Sequence, residues 1–216
     1  MNEAVRNAYA ARAIEYTEVL GSMGAVHAED RRLVADWASR VKGPIVDAGC
    51  GPGHWTHFLA DLGADVAGVD QVPEFIEQAR MRFPGIRFHE GSLEALPVED
   101  ASVGGVLAWY SLIHYGPGAL HIPLRECARV LKPGGLLLTG FFAGPRVEPF
   151  DHAVFTAFRW PVQELAAELS RAGFELVETH QRTDAGHRPH GAILARRKRS
   201  RIPAADPAED GGSVGS

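Results

Sequence analysis

Asp47, Gly49, Gly51 and Gly53 alternate with single residues directly after the apolar pair Ile45 and Val46, and a helical run from His54 to Ala60 follows. A carboxylate, three glycines and a helix start make a backbone socket for a polar ligand. Glycine lets the main chain approach closely and take up φ > 0, while the first N–H groups of a helix supply donors and partial positive charge. A dinucleotide turn, G-x-G-x-x-G, needs its third glycine for helix–sheet packing. Here Gly49 and Gly51 fill the first two stations, but His54 stands at the third. Asp47 facing the turn suits a ligand with an amine and repels a pyrophosphate. A plain helix-capping role for Asp47 is the competing assignment.

A second acid, Asp70, closes the apolar stretch Ala67-Gly68-Val69, twenty-one residues after Gly49. That is near the spacing of a ribose-binding acid, and a carboxylate can accept from both sugar hydroxyls. Further on stand Gly91-Ser92-Leu93-Glu94-Ala95-Leu96-Pro97 and Arg129-Val130-Leu131-Lys132-Pro133-Gly134-Gly135. In this order the four segments resemble the motifs of class I S-adenosylmethionine-dependent methyltransferases, of the small-molecule type found in actinobacteria, over roughly residues 9 to 196.

The resemblance implies S-adenosyl-L-methionine as cofactor and a Rossmann-like, doubly wound α/β fold. Its sheet would have seven strands, mostly parallel, with an antiparallel last hairpin and N-terminal helices. It assigns the methionine arm to Asp47 and the turn Gly49, Cys50, Gly51 and Gly53, and the ribose to Asp70. Gln71, Ser92 and Leu93 would frame the adenine, and Phe75 is either a further contact there or core. Ala108 and Trp109 would end the fourth strand beside the reactive methyl. Many relatives carry an acid where this chain has Ser92, and a hydroxyl accepts the adenine amino group more weakly. Tyr9 and Tyr16, seven residues apart on one helical face, match the segment that covers the cofactor; an aromatic stripe against the core is the alternative.

Two histidines could act as a base on the acceptor. His114 follows the fourth strand in Trp109-Tyr110-Ser111-Leu112-Ile113-His114, and an imidazole titrates near neutrality. A structural imidazole bonded to backbone is the other reading. His152 lies in segment 143–160, rich in aromatics from Phe150 to Trp160, which reads as a lid over an apolar acceptor or as core. No Asn/Asp/Ser-Pro-Pro-Tyr/Phe segment for a flipped base is present. His54 with His57, and His187 with His190, have i, i+3 spacing without a third ligand, so no metal is expected.

Strands at 44–48, 65–69, 86–90, 103–109 and 135–142 alternate with helices at 53–62, 73–83, 117–131 and 161–172, and segments 174–180 and 190–196 complete the sheet. Residues 3–20 and 27–41 read as two preceding helices. This gives one domain over 1–200, with 1–42 as helical cover and 143–160 as substrate lid, then a disordered tail at 201–216. A net charge of −5 argues against a nucleic-acid face, and the basic cluster from Arg196 to Arg201 reads as a solvated tail. Two cysteines, no apolar leader and no apolar stretch near ~20 residues point to the cytoplasm and away from a membrane. The partner expected is a small-molecule methyl acceptor, and the chain is compatible with a homodimer. The function expected is methyl transfer to an O, N, C or S atom of that acceptor by in-line displacement. The alternatives are a regulatory protein that binds the cofactor or its demethylated product, and a methyltransferase of RNA or protein.

Overall fold

The computed structural model describes residues 3–184, 186 and 188–199. Three helices come first: α1 (Glu3–Ala10), α2 (Ala13–Leu20) and α3 (Ala28–Arg40). Strands and helices then alternate as β1 (Ile45–Ala48), α4 (His54–Asp61), β2 (Val66–Asp70), α5 (Pro73–Arg82), β3 (Arg87–Glu90) and β4 (Val103–Trp109). The second half runs α6 (His121–Val130), β5 (Leu131–Ala143), β6 (Glu148–Phe150), β7 (Ala157–Trp160), α7 (Val162–Arg171), β8 (Phe174–Arg182) and β9 (His190–Arg197).

The main sheet has the order β3-β2-β1-β4-β5-β9-β8. Its first five strands are parallel, and β9 and β8 add antiparallel at the edge. Alternation along the strands sends side chains to opposite faces. Val106, Ala108 and Leu137 pack on one face with Leu124 and Cys127 of α6 and Leu165 of α7. Leu107, Leu136 and Leu138 pack on the other with Val34 and Trp37 of α3 and Leu59 of α4. Both faces are covered, which is why these strands read as continuous apolar runs.

All seven expected strands are present, so the fold is the Rossmann-like, doubly wound one. Two features go beyond the expectation. The single helix expected over 3–20 is two, broken at Ala11–Arg12, and the break lets Tyr9 turn toward the sheet while Tyr16 stays beside it. Their rings still meet, 5.6 Å apart and edge to face. Segment 143–160 also holds a two-stranded hairpin: β7 pairs with the end of β5 at Phe142 and Ala143, and β6 pairs with β7. This extra hairpin carries the segment across the carboxyl end of the sheet.

The basic cluster is partly spent on the fold. Arg196 pairs with Glu175 at 3.3 Å, Arg197 bonds the carbonyl of Leu131, and Lys198 reaches the carbonyl of Ser170 at 3.3 Å. Ser200, Arg201 and the rest of the tail at 201–216 lie outside the described residues. Among the described residues no helix is long and apolar enough to cross a membrane.

Candidate functional site

Parallel pairing with β2 and β4 sets Asp47 between Gly68 and Leu107, one residue short of the carboxyl end of β1. The chain then turns sharply, with Gly49 at φ +80° and its N–H donating to the Val69 carbonyl at 2.7 Å. A Cβ on Gly49 would stand 2.3 Å from the Ser111 Cβ, so both the backbone angle and the space demand glycine. Gly53, at φ +84°, begins α4, and a Cβ there would strike the Phe88 ring at 2.8 Å. Gly53 therefore serves helix–sheet packing.

Asp47 is 1% exposed, and its Oδ2 accepts from the Thr56 hydroxyl at 2.7 Å. Burial pushes this carboxyl up to about 7, against the opposing pull of Thr56. Asp70 accepts from the N–H of Gly51 at 2.8 Å and of Val72 at 2.9 Å, one through each oxygen. Burial raises its pKa and those amides lower it. Asp70 thereby ties the glycine turn to the start of α5, and each oxygen keeps a lone-pair site.

Beyond these strand ends lies a cavity of about 790 Å³, within the range of small-molecule sites. One end is formed by Asp47, Gly49, Cys50, Gly51 and His54, the other by Trp109, Tyr110, Ile113, Phe142 and His152. Tyr9 and Tyr16 roof it from α1 and α2, and both pack on Phe75 of α5. Burial raises both phenols, Tyr16 up to about 12, so both stay neutral. Gly53, Asp70 and the other expected contacts are not among the residues that line this cavity. Leu93 and Ala108 are core residues. Ser92 turns its hydroxyl to the N–H of Glu94 at 3.1 Å, within its own loop. Gln71 sits beside Asp70 with its Nε2 buried and without a hydrogen-bond partner.

The two histidines differ. His114 Nδ1 bonds the Thr156 carbonyl at 2.8 Å, which requires an N–H there, and its Nε2 then accepts from the Tyr9 hydroxyl at 2.9 Å. Burial lowers its pKa, and the ring is neutral with both nitrogens committed. His152 stands among Phe142, His114 and Phe150, at ring distances of 5.8, 5.8 and 6.3 Å. Its Nδ1 is buried without a partner, and burial first, then the neighbouring His114 ring and the charges of Arg188 and Arg12, push its pKa down to about 4.

The aromatics of segment 143–160 divide between the two expected roles. Trp160 is core and Phe158 packs against it, while Phe150 backs Phe142 at 5.2 Å and Phe155 flanks His114 at 6.2 Å. His54 faces the cavity, and His57 turns away to Asp61 at 3.4 Å and stacks on Phe83. No group of three or more metal-ligating side chains occurs among the described residues, and His187 lies outside them.

Some site residues escaped sequence reasoning. Tyr110 follows Trp109 at φ +56°, a left-handed angle that is costly for an aromatic residue, and its hydroxyl contacts His190 Nδ1 closely. Asp30 of α3 receives Arg182 of β8 at 2.5 Å, and Arg182 also holds Asp184 at 2.8 Å, all three at the cavity mouth. Tyr110 at least had a signal, its place directly after the fourth strand. The Asp30–Arg182 pair, 152 residues apart, had none.

The sheet order, the glycine turn and the strand-end cavity define a Rossmann-like protein with a cavity of small-molecule size at the carboxyl edge of its sheet. Comparison with known proteins narrows this. Residues 45–135 match the methyltransferase domain family. A probable S-adenosylmethionine-dependent methyltransferase of Mycolicibacterium smegmatis is 32% identical over 140 residues, 62% of this chain and 53% of that protein. The chain spans about half the length of the curated relatives it matches. Among solved structures, 1,6-didemethyltoxoflavin-N1-methyltransferase of Burkholderia thailandensis, crystallised with 1,6-didemethyltoxoflavin and S-adenosylhomocysteine, aligns with a TM-score of 0.76 at 22% identity, over 90% of this chain and 88% of that one. The cyclase SpnF aligns with a TM-score of 0.72 at 18% identity, over 90% and 98%; at such identities the likeness is one of fold. The matched segment, from β1 to the start of β5, holds the glycine turn and both strand-end acids, and the fold is that of the solved methyltransferases.

Proposed function

We propose that this protein transfers the methyl group of S-adenosyl-L-methionine to a small organic acceptor held in the same cavity. The observation that carries the reading is Asp47, a carboxyl group 1% exposed that accepts from the neutral hydroxyl and backbone N–H of Thr56. A buried acid without a cation is costly, and an ammonium group arriving at the cavity floor removes that cost. Two further features fit the cofactor. No atom stands within 4 Å of the place a Cβ would take on Gly51, so the turn presents open backbone. The orphaned Nε2 of Gln71, next to Asp70, is a donor without an acceptor, as an adenine edge would supply.

In this reading Asp47 and the turn Gly49, Cys50 and Gly51 hold the methionine arm, Asp70 receives the ribose hydroxyls, and Gln71 meets the base. Tyr9 and Tyr16 cover the bound molecule, so residues 1–42 act as the helical cover. Segment 143–160, tied to the cover through His114 and Arg12, acts as the acceptor lid. The cofactor supplies a methyl already activated on a sulfonium. The chain's residues therefore mainly align and dehydrate the reactants, which can lower a barrier by about 7–11 kcal/mol. A general base typically adds about 10²–10⁴-fold, and His114, with its lone pair on Tyr9, acts as a positioning residue for the cover. His152, a cavity-lining ring with an unmet Nδ1, is the histidine assigned here to the acceptor.

A regulatory protein that binds the cofactor without turnover is the second reading, favoured by the absence of a strong base on the two histidines. Two assays separate them. Calorimetric titration with S-adenosylhomocysteine tests the site, and transfer of labelled methyl to a panel of small acceptors tests the reaction. Binding with transfer supports the proposal, and binding without transfer to any acceptor supports the regulator. Absence of binding defeats both.

A further inference from the structure

The half of the cavity away from the glycine turn has an unusual lining. Its wall is a run of rings, with Trp109 and Tyr110 at 5.7 Å and Tyr110 and Phe142 at 5.0 Å. His152 continues it at 5.8 Å from Phe142. The left-handed angle of Tyr110 turns its ring into this wall, a strain that the surrounding packing holds in place.

The charged side chains around this chamber are held in place by contacts with one another, with backbone or with rings. At the mouth, Asp30 and Asp184 both close on Arg182. On the lid side, Arg12 pairs with Glu15 at 2.7 Å and bonds the Ala153 carbonyl, and Arg188 lies over the Phe150 ring while bonding the Asp151 carbonyl at 3.2 Å. Among the described residues, two side chains that line the cavity bear a buried polar atom without a partner, His54 Nδ1 beside the glycine turn and His152 Nδ1 in the ring-lined half.

The geometry points to a planar aromatic or heteroaromatic acceptor, lying against Trp109, Tyr110 and Phe142 and giving one O–H or N–H hydrogen bond to His152 Nδ1. This deepens the methyl-transfer reading and rests on it. Flat rings offer the greatest contact to a wall of rings, through offset or edge-on packing. One donor satisfies the one unmet atom, and a ligand lacking it leaves that atom dry and unpaired. A neutral imidazole is the right partner, because a protonated one would have no lone pair to offer. Burial, the neighbouring His114 ring and the charges of Arg188 and Arg12 hold His152 in the neutral form.

The test uses the full chain saturated with S-adenosylhomocysteine and measures binding by equilibrium dialysis. Three ligands of similar size are compared: 2-naphthol, its isostere 2-methylnaphthalene, and the non-planar decahydro-2-naphthol. The expected result is that 2-naphthol binds about tenfold more tightly than either comparator. The variant His152→Phe keeps the ring and removes the acceptor atom, and should bind the two naphthalenes equally. Titration of that variant with S-adenosylhomocysteine reports whether it is folded, and the wild-type comparison stands without it. Equal affinity for all three ligands overturns the inference, as does an undiminished preference for 2-naphthol in folded His152→Phe. Failure of S-adenosylhomocysteine itself to bind would defeat the methyl-transfer reading instead.

Discussion

The two halves of the cavity are built by different means. The half under β1 and β2 is made of backbone: a turn of glycines, the N–H groups of Gly51 and Val72 on Asp70, and one buried acid at a strand end. The half under β4, β5 and the lid is made of side chains from distant segments, with Tyr9 on His114 and Asp30 on Arg182, 105 and 152 residues apart. A backbone socket is stiff and serves one ligand across many proteins. A wall of side chains can be redrawn residue by residue, which suits it to choosing the acceptor.

Breaking the backbone half should cost most. In Gly49→Ala the new Cβ collides with Ser111 at a left-handed φ. Strain of this kind costs on the order of 1–3 kcal/mol, at about 2–4 °C of melting temperature per kcal/mol. Calorimetry should find S-adenosylhomocysteine binding lost. Next come Asp47→Ala and Asp70→Ala, each removing hydrogen bonds to a charged group and expected to weaken that ligand about 10–100-fold. Retained affinity in either variant would remove the distinction between the halves.

Asp47→Asn sharpens the comparison through stability. Folded Asp47 keeps its proton up to about pH 7, whereas in the unfolded chain it titrates at its ordinary value of 3.8. Between those values the folded state holds more protons, so Asp47 makes stability fall as pH rises from acid to neutral. The asparagine variant escapes this penalty and still accepts from Thr56. Denaturation at mildly alkaline pH should find it more stable by about 2–4 kcal/mol, though poor at binding.

The smallest effect belongs to the side-chain half. Tyr9→Phe removes one hydrogen bond, worth about 0.5–1.5 kcal/mol, and frees His114 Nε2. The expected signs are a modest loss of ligand affinity and an upward shift of the His114 titration, read by NMR.

The same division explains what was legible in the chain. Asp47, the glycines and Asp70 are local in sequence because a strand end, a turn and a helix start are consecutive, and the central strands announced themselves as apolar runs, unlike the more polar β3 and β8. Leu93 and Ala108 belong to matching motifs, yet their side chains serve the core, since a motif marks backbone position and leaves facing to the tertiary packing. The break at Ala11–Arg12 went unread because helix propensity continues through it. The β6–β7 hairpin hid in a segment whose three- and four-residue strands are too short to show a period. Tyr110 and the Asp30–Arg182–Asp184 cluster became part of the site only when the folded sheet brought β4, β8 and α3 together.

The most direct test is calorimetric titration of S-adenosylhomocysteine into wild-type protein and Asp47→Asn from acid to mildly alkaline pH. If Asp47 must be ionised to receive the ligand's ammonium, wild-type affinity climbs about tenfold per pH unit until about pH 7 and then levels off. Asp47→Asn then binds weakly with a flat profile. Equal affinities with the same pH dependence in both proteins would contradict the account.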